Sequence, residues 1–137
     1  MAPLPTFQAD PLCPKLPAEG PALAIVTSGD GPMGEIVIHG SYRVTDEVRA
    51  RLGPASIRHQ VWLVAIHRGS RVACWGRMAG DALVFGEEEP VRGVVTGYFH
   101  VALASTVRMS EKFPGLYDVM AVLGPLRSVP VSVTGRK

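Results

Sequence analysis

The chain contains 137 residues, of which 47% are hydrophobic and 19% are charged, and its formal net charge at pH 7 is +2. This composition is too apolar for a disordered chain, and no apolar run approaches the roughly 20 residues that cross a membrane, so one globular domain with no membrane partner is expected. The 14 basic residues are scattered along the chain. Nucleic-acid binders gather such residues into a stripe with interleaved aromatic side chains, so nucleic acid is not an expected partner.

The two cysteines, Cys13 and Cys74, stand far apart, and neither has a second metal ligand at a spacing typical of metal sites. This pattern favours free thiols in a reducing compartment. The N-terminus has no basic segment followed by an apolar one, which a secretory signal would have. The sequence therefore predicts a cytoplasmic protein.

Six of the twelve prolines fall within the first 21 residues. Proline at this density is incompatible with a helix or a sheet interior, so residues 1–21 are predicted to form an extended arm and residues 22–137 the folded domain. The apolar residues of the arm are candidate anchors against the domain or a neighbouring subunit. They are Leu4, Phe7, Leu12 and Leu16.

Short segments in which apolar and polar residues alternate follow one another along the domain, and turns rich in Gly and Pro separate them. The predicted strands are 22–28, 35–44, 60–67, 71–78, 82–86, 94–107, 116–123 and 128–134. Strands 60–67 and 71–78 are expected to form a β-hairpin in which Gly69 takes a positive φ. A short helix is predicted near residues 46–52, because Thr45 or Asp46 can cap it and Val48 and Leu52 form an apolar pair. About seven to eight strands, one short helix and no regular alternation between them predict an all-β fold, an antiparallel β-sandwich.

Gly115, Tyr117 and Val119 form a G-x-Y-x-V motif that resembles the tyrosine corner of immunoglobulin-like sandwiches, where strand F begins. Trp62 is similar in position to the tryptophan that strand C of these domains directs into the core. The resemblance implies an immunoglobulin-like pair of packed antiparallel sheets, with apolar residues in place of the inter-sheet disulfide. It implies no activity, because such sandwiches serve many functions.

The predicted strand 60–67 has apolar residues at both its odd and its even positions, and so on both of its faces. A strand needs this only when both faces are covered. If Trp62, Val64 and Ile66 point into the sandwich, the residues between them point outward. The neighbouring strands are expected to add outward apolar side chains beside them. This predicted face consists of Val61, Leu63, Ala65, Trp75, Met120 and Val122, with His67, Arg71, Arg77 and Asp118 at its rim.

Monomers rarely expose a large continuous apolar surface, so such a face should be covered. Three kinds of cover remain open at this point: the arm or short helix of the same chain, a second protein surface, or a ligand in a groove. The enrichment of Trp, Met and Arg in interface cores favours binding.

No nucleophile elbow, phosphate-binding glycine loop or zinc-protease helix occurs in the sequence. The histidines lack the close spacing of metal ligands, and His39 and His100 form the pair that can converge if their strands are neighbours. Neither a metal nor a cofactor is predicted, and His39 and His100 are expected to be solvated surface residues. Cys74 is expected to point inward, as a small core residue rather than a nucleophile.

The leading hypothesis is a non-catalytic protein-interaction or assembly module that binds a protein partner, or a second copy of itself, through the apolar face and the arm. Capture of an extended peptide by an edge strand is a variant of it. The alternative is a small-ligand or peptide-binding accessory protein of a biosynthetic pathway, with Trp75, Arg71, Arg77 and His67 as ligand-binding residues. A metal-dependent enzyme that uses histidines is the least favoured.

Overall fold

A computed structural model describes residues 14–28, 36–52, 57–78, 83–87, 92–107 and 115–135. Its strands are β1 (Ala22–Ser28), β2 (Val37–Val44), β3 (Val61–His67), β4 (Ala73–Arg77), β5 (Leu83–Glu87), β6 (Val95–Ala102), β7 (Gly115–Leu123), β8 (Leu126–Arg127) and β9 (Val131–Gly135). The helices are α1 (Asp46–Arg51) and α2 (Leu103–Thr106), and a 3-10 turn covers Ile57–Gln60. None of the helices in this part of the chain has the length and apolar character needed to cross a bilayer.

The strands form two antiparallel sheets, which confirms the predicted all-β sandwich. The first sheet has the order β1-β2-β6-β5. The second has the order β4-β3-β7, with β8 and β9 both pairing with β7. Inward side chains of both sheets belong to one core cluster, in which Tyr42 and Phe99 are the largest fully buried side chains.

Local sequence explains the predicted helix. Thr45 caps it, since its Oγ1 accepts a hydrogen bond from the Val48 backbone amide at 3.4 Å, and Asp46 and Glu47 lie in the first turn. Carboxylates at this end interact favourably with the helix dipole. Val48 is buried and attaches the helix to the core.

Strands β6 and β9 differ from their predicted bounds for reasons that the structure shows. Strand β6 ends at Ala102, because the chain turns into α2 and buries Leu103. Strand β9 begins at Val131, after Ser128 has closed the preceding loop onto β7. The Ser128 amide donates to the Ala121 carbonyl oxygen at 3.0 Å, and the Ser128 hydroxyl accepts from the Ala121 amide at 2.8 Å.

The orientation predicted for β3 is wrong. Val61, Leu63 and Ala65 are 0% exposed and belong to the core, whereas Trp62 is 40% exposed on the opposite face. Both parities of this strand are apolar, so the alternation alone did not distinguish them. Tyr42 and Phe99 already supply aromatic volume between the sheets, and close packing there accommodates aliphatic side chains on β3 rather than another large ring.

The turn between β3 and β4 also differs from expectation. Gly69 does not have the positive φ predicted for it, and Arg71 takes a φ of 65° instead. The turn is closed by His67, whose amide donates to the Val72 carbonyl oxygen at 2.9 Å and whose carbonyl oxygen accepts from the Arg71 amide at 2.8 Å.

The end of the predicted arm is attached to the first sheet. The guanidinium of Arg43, on β2, donates hydrogen bonds to the carbonyl oxygens of Pro17 at 2.6 Å and Gly20 at 3.2 Å. Leu16 is half-buried. The remaining predicted anchors, Leu4, Phe7 and Leu12, lie outside the described residues, as does Cys13.

Candidate functional site: an outer sheet face with two tryptophans

The register of the second sheet places two tryptophans on its outer face. Trp75 pairs with Val64, which pairs on its other side with Met120. Trp62 lies between Arg77 and Val122 in the same way. We use the term outer face for the apolar residues that this register directs away from the core: Trp62, Val64, Ile66, Ala73, Trp75, Met120 and Val122.

The tryptophans dominate the exposed area of the outer face. Trp75 is 65% exposed and Trp62 is 40% exposed, while Val64 and Met120 between them are half-buried. The two tryptophans occupy diagonal positions on neighbouring strands, which sets their Cα atoms about 7–8 Å apart. The outward direction predicted for Trp75, Met120 and Val122 agrees with the structure. On β3 the outward residues are Trp62, Val64 and Ile66. They take the place of the predicted Val61, Leu63 and Ala65.

At one end of the outer face, an ion pair with Arg68 neutralises the carboxylate of Asp118. Arg68 donates to the Asp118 carboxylate oxygen Oδ1 through Nη2 at 2.8 Å and through Nε at 3.1 Å. Nη2 also donates to the Ser132 hydroxyl at 2.6 Å. The hydrogen bond from Arg68 and the positive charges of Arg68 and Arg71 hold the pKa of Asp118 below its usual value.

The other end of the outer face carries cations. Arg77 is the cross-strand neighbour of Trp62, and Arg127 is that of Val122. Arg51, at the end of α1, approaches the same region. None of these three arginines forms an ion pair with a carboxylate in the part of the chain that the structure describes.

A groove of about 400 Å³ opens beside Trp62 at this cationic end. The end of α1, the 3-10 turn, β3, β4 and the β7–β8 turn all contribute to it. Gly124 has a φ of 56°, and Leu52 packs against it so closely that a Cβ there would lie 2.7 Å from Leu52 Cδ2. The lining residues are Arg51, Leu52, His59, Gln60, Trp62, Arg77, Val122 and Gly124.

The four predicted ligand-binding residues do not share one pocket. Arg71 precedes β4 and Arg77 is its last residue, so the two lie roughly 20 Å apart along an extended strand. His67 belongs to the hairpin end with Arg71, where its Nδ1 accepts from the Ser70 amide at 3.0 Å and its ring packs 5.0 Å from that of Tyr117. The concavity next to Trp75 is a shallow one lined by Ala73, Cys74 and Thr106.

Cys74 is not set up as a nucleophile. Its thiol lies 3.6 Å from the Ala65 carbonyl oxygen on the neighbouring strand, and burial raises its pKa. A raised pKa keeps the thiol protonated near neutral pH, and the thiolate is the reactive form. The sequence-based interpretation of Cys74 as a small inward residue agrees with this geometry.

The first sheet brings His39 and His100 together. They are direct cross-strand partners on β2 and β6, with ring centroids 5.6 Å apart. The Ser28 hydroxyl lies 2.9 Å from His39 Nε2. His39 is only 4% exposed, so its expected place as a solvated surface residue is wrong. Among the described residues, no group of three or more His, Cys, Asp or Glu side chains is arranged to hold a metal ion.

Sequence reasoning missed the groove beside Trp62. Its members come from segments that lie between residues 51 and 124, and no motif or short spacing links them. The clue in the sequence would have been the side of β3 on which Trp62 lies. Because both sides of that strand are apolar, the sequence did not decide it. Comparison of the chain with models of known protein families, with curated proteins and with solved structures finds no match.

Proposed function

We propose that this protein is a non-catalytic interaction module whose outer face binds another protein chain. The observation that carries the proposal is the 65% exposure of Trp75, with a second partly exposed tryptophan and the five aliphatic or Met side chains of the outer face around it. Exposed tryptophans on a continuous apolar surface are characteristic of binding sites, where they contribute a large share of the binding energy.

We also infer an immunoglobulin-like topology and a cytoplasmic location. The first sheet has the order A-B-E-D of such domains, and β4-β3-β7-β9 corresponds to C′-C-F-G, which supports the topology. The buried Tyr117 in the G-x-Y-x-V motif supports it as well. Trp62 departs from the pattern, because its side chain lies on the outer face. The free thiol of Cys74 suits a reducing compartment.

The rigidity of the sheet supports a preformed binding surface. Val64 and Ile66 sit on a central strand that is hydrogen-bonded on both sides, to β4 and β7. A surface built on paired strands loses little conformational entropy when a partner docks. Residues 14–20 are attached to β2 of the first sheet through Arg43, so the arm would add a contact on that sheet rather than on the outer face.

Light scattering and photocrosslinking of the full chain test the proposal together. Light scattering compares the intact protein with Trp75→Asp and with Val129→Asp, a matched control at a site that is 81% exposed and off the outer face. A photoreactive phenylalanine at position 75, or at 129 as control, reports contacts in the cells that produce the protein. We expect a discrete adduct from position 75 alone.

If the partner is a second copy, light scattering of the intact protein gives a multiple of the chain mass. Trp75→Asp then reduces this mass, and Val129→Asp leaves it unchanged. A different partner gives a monomer with a position-75 adduct of another mass. A monomer without any adduct from position 75 above the level from position 129 would overturn the proposal.

A further inference from the structure

The cationic end of the outer face has a surplus of positive charge that the described part of the chain does not neutralise. Arg51 and Arg77 line one groove with Trp62, and Arg127 lies alongside, across from Val122. Glu47 stands one turn before Arg51 and lines a neighbouring groove with it, yet the two form no ion pair. The one described carboxylate that the register places on this face, Asp118, is held by Arg68 at the far end.

The groove combines these charges with apolar walls. Leu52, Trp62 and Val122 line it beside the two guanidinium groups. An apolar, partly enclosed wall lowers the local dielectric constant and so strengthens the attraction between a guanidinium and an anion. A guanidinium also presents its donors in a planar fork that matches a carboxylate. The groove therefore suits a carboxylate attached to an apolar chain.

The same charges disfavour one kind of self-association. In a two-fold dimer that brings the cationic ends of both copies together, the arginines of one copy would face those of the other. Like charges brought together at an interface oppose association. A partner with acidic residues beside apolar ones complements both parts of this surface.

We propose that the groove holds a carboxylate side chain of an acidic protein segment whose apolar residues pack on Trp62 and the outer face. The inference rests on the proposed function, since it specifies the chemistry of the partner of the outer face. The carboxylate lies between Arg51 and Arg77, and the rim charge of Arg127 attracts the rest of the acidic segment.

Titration with model peptides tests the inference. The probe is a peptide of alternating Glu and Leu, and its control is the same peptide with Gln in place of Glu. The protein carries Trp75→Phe, so that the fluorescence of Trp62 reports the groove. We expect the Glu peptide to bind roughly tenfold more tightly than the Gln peptide at low salt, with the difference decreasing as salt screens the charges.

Arg51→Gln and Arg77→Gln should each weaken the Glu peptide several-fold and leave the Gln peptide unchanged. Arg49→Gln is the matched control, because Arg49 is exposed on the same helix and does not line the groove. All three arginines are exposed, so circular dichroism should be unaltered. Equal binding of the two peptides, or an equal effect of Arg49→Gln, would overturn the inference.

Inorganic phosphate provides the remaining arm of the test. If phosphate displaces the Glu peptide as effectively as an excess of the peptide itself does, the groove is a small-anion site and the acidic-segment proposal is wrong. This test depends on Arg51 and Arg77, whereas the crosslinking test depends on position 75. A position-75 adduct without selective Glu-peptide binding removes this inference alone. Selective binding without the adduct removes the proposed function, and with it the acidic partner of the outer face, although the groove still binds carboxylates.

Discussion

The carbonyl oxygen of Thr106 lies against Gly76, where the Cβ of any other residue would have to stand. Thr106 ends α2, which follows the first sheet, and Gly76 belongs to β4 at the edge of the second. The contact therefore holds the edge strand that presents Trp75 to the body of the domain. Because the obstructing atom belongs to the backbone, it cannot move aside as a flexible side chain can.

We expect Gly76→Ala to lower the free energy of unfolding by about 1–3 kcal/mol, the usual cost of overpacking. Urea denaturation followed by Trp fluorescence measures this. Gly69→Ala is the control, since its Cβ would meet only the His67 side chain, at 3.2 Å. A similar loss in both variants would show that the Thr106 contact is not the reason.

Leu63→Ala and Trp62→Ala separate the two faces of β3. Leu63 is fully buried, so its truncation should cost about 2–5 kcal/mol through lost burial and a cavity. Truncation of the half-exposed Trp62 should cost less, about 1 kcal/mol, because much of its surface is already in water. Urea denaturation compares the two, and the reverse order would mean that β3 has the opposite orientation.

Asp118→Asn should remove a pH-dependent part of the stability. The hydrogen bond and charge of Arg68 lower the pKa of Asp118 in the folded state. The resulting stabilisation is present above the unfolded-state pKa of about 3.9 and is lost as the pH falls through the folded-state value. The native chain should therefore exceed Asp118→Asn in urea midpoint at pH 7, and this difference should shrink towards pH 3.

Added salt should also reduce the difference between the native chain and Asp118→Asn at pH 7, because both partners of the ion pair are solvent-exposed. A gap in urea midpoint that is the same at pH 7 and pH 3 would contradict the assignment to this ion pair.

Cys74 should be alkylated slowly in the folded protein. Burial raises the pKa of its thiol, so the thiolate fraction at pH 7.5 is below that of a free cysteine. In a Cys13→Ser variant, where Cys74 is the single thiol, we expect iodoacetamide to react roughly tenfold faster in urea than in buffer. Equal rates in the two solvents would mean that Cys74 is open to solvent and unperturbed.

The alternation of the strands determined much of the fold. In β6 it correctly separates the buried Val95, Phe99 and Val101 from the polar positions between them, because only the apolar parity faces the other sheet. The helix α1 was predictable for an equally local reason, the cap at Thr45. Interactions within a few residues, or a period-two pattern with one polar side, suffice for such elements.

Only the tertiary structure decided the site. Strand β3 is apolar on both sides, so its orientation depends on the space that Tyr42 and Phe99 leave between the sheets, which no pattern within β3 encodes. The groove beside Trp62 joins side chains from the end of α1 to the β7–β8 turn. The sequence by itself determined that an apolar face with Trp75 and Met120 exists. The choice of Trp62 as its second tryptophan, and of Arg51 and Arg77 as neighbours, follows from long-range packing, because packing fixes which residues of distant segments meet.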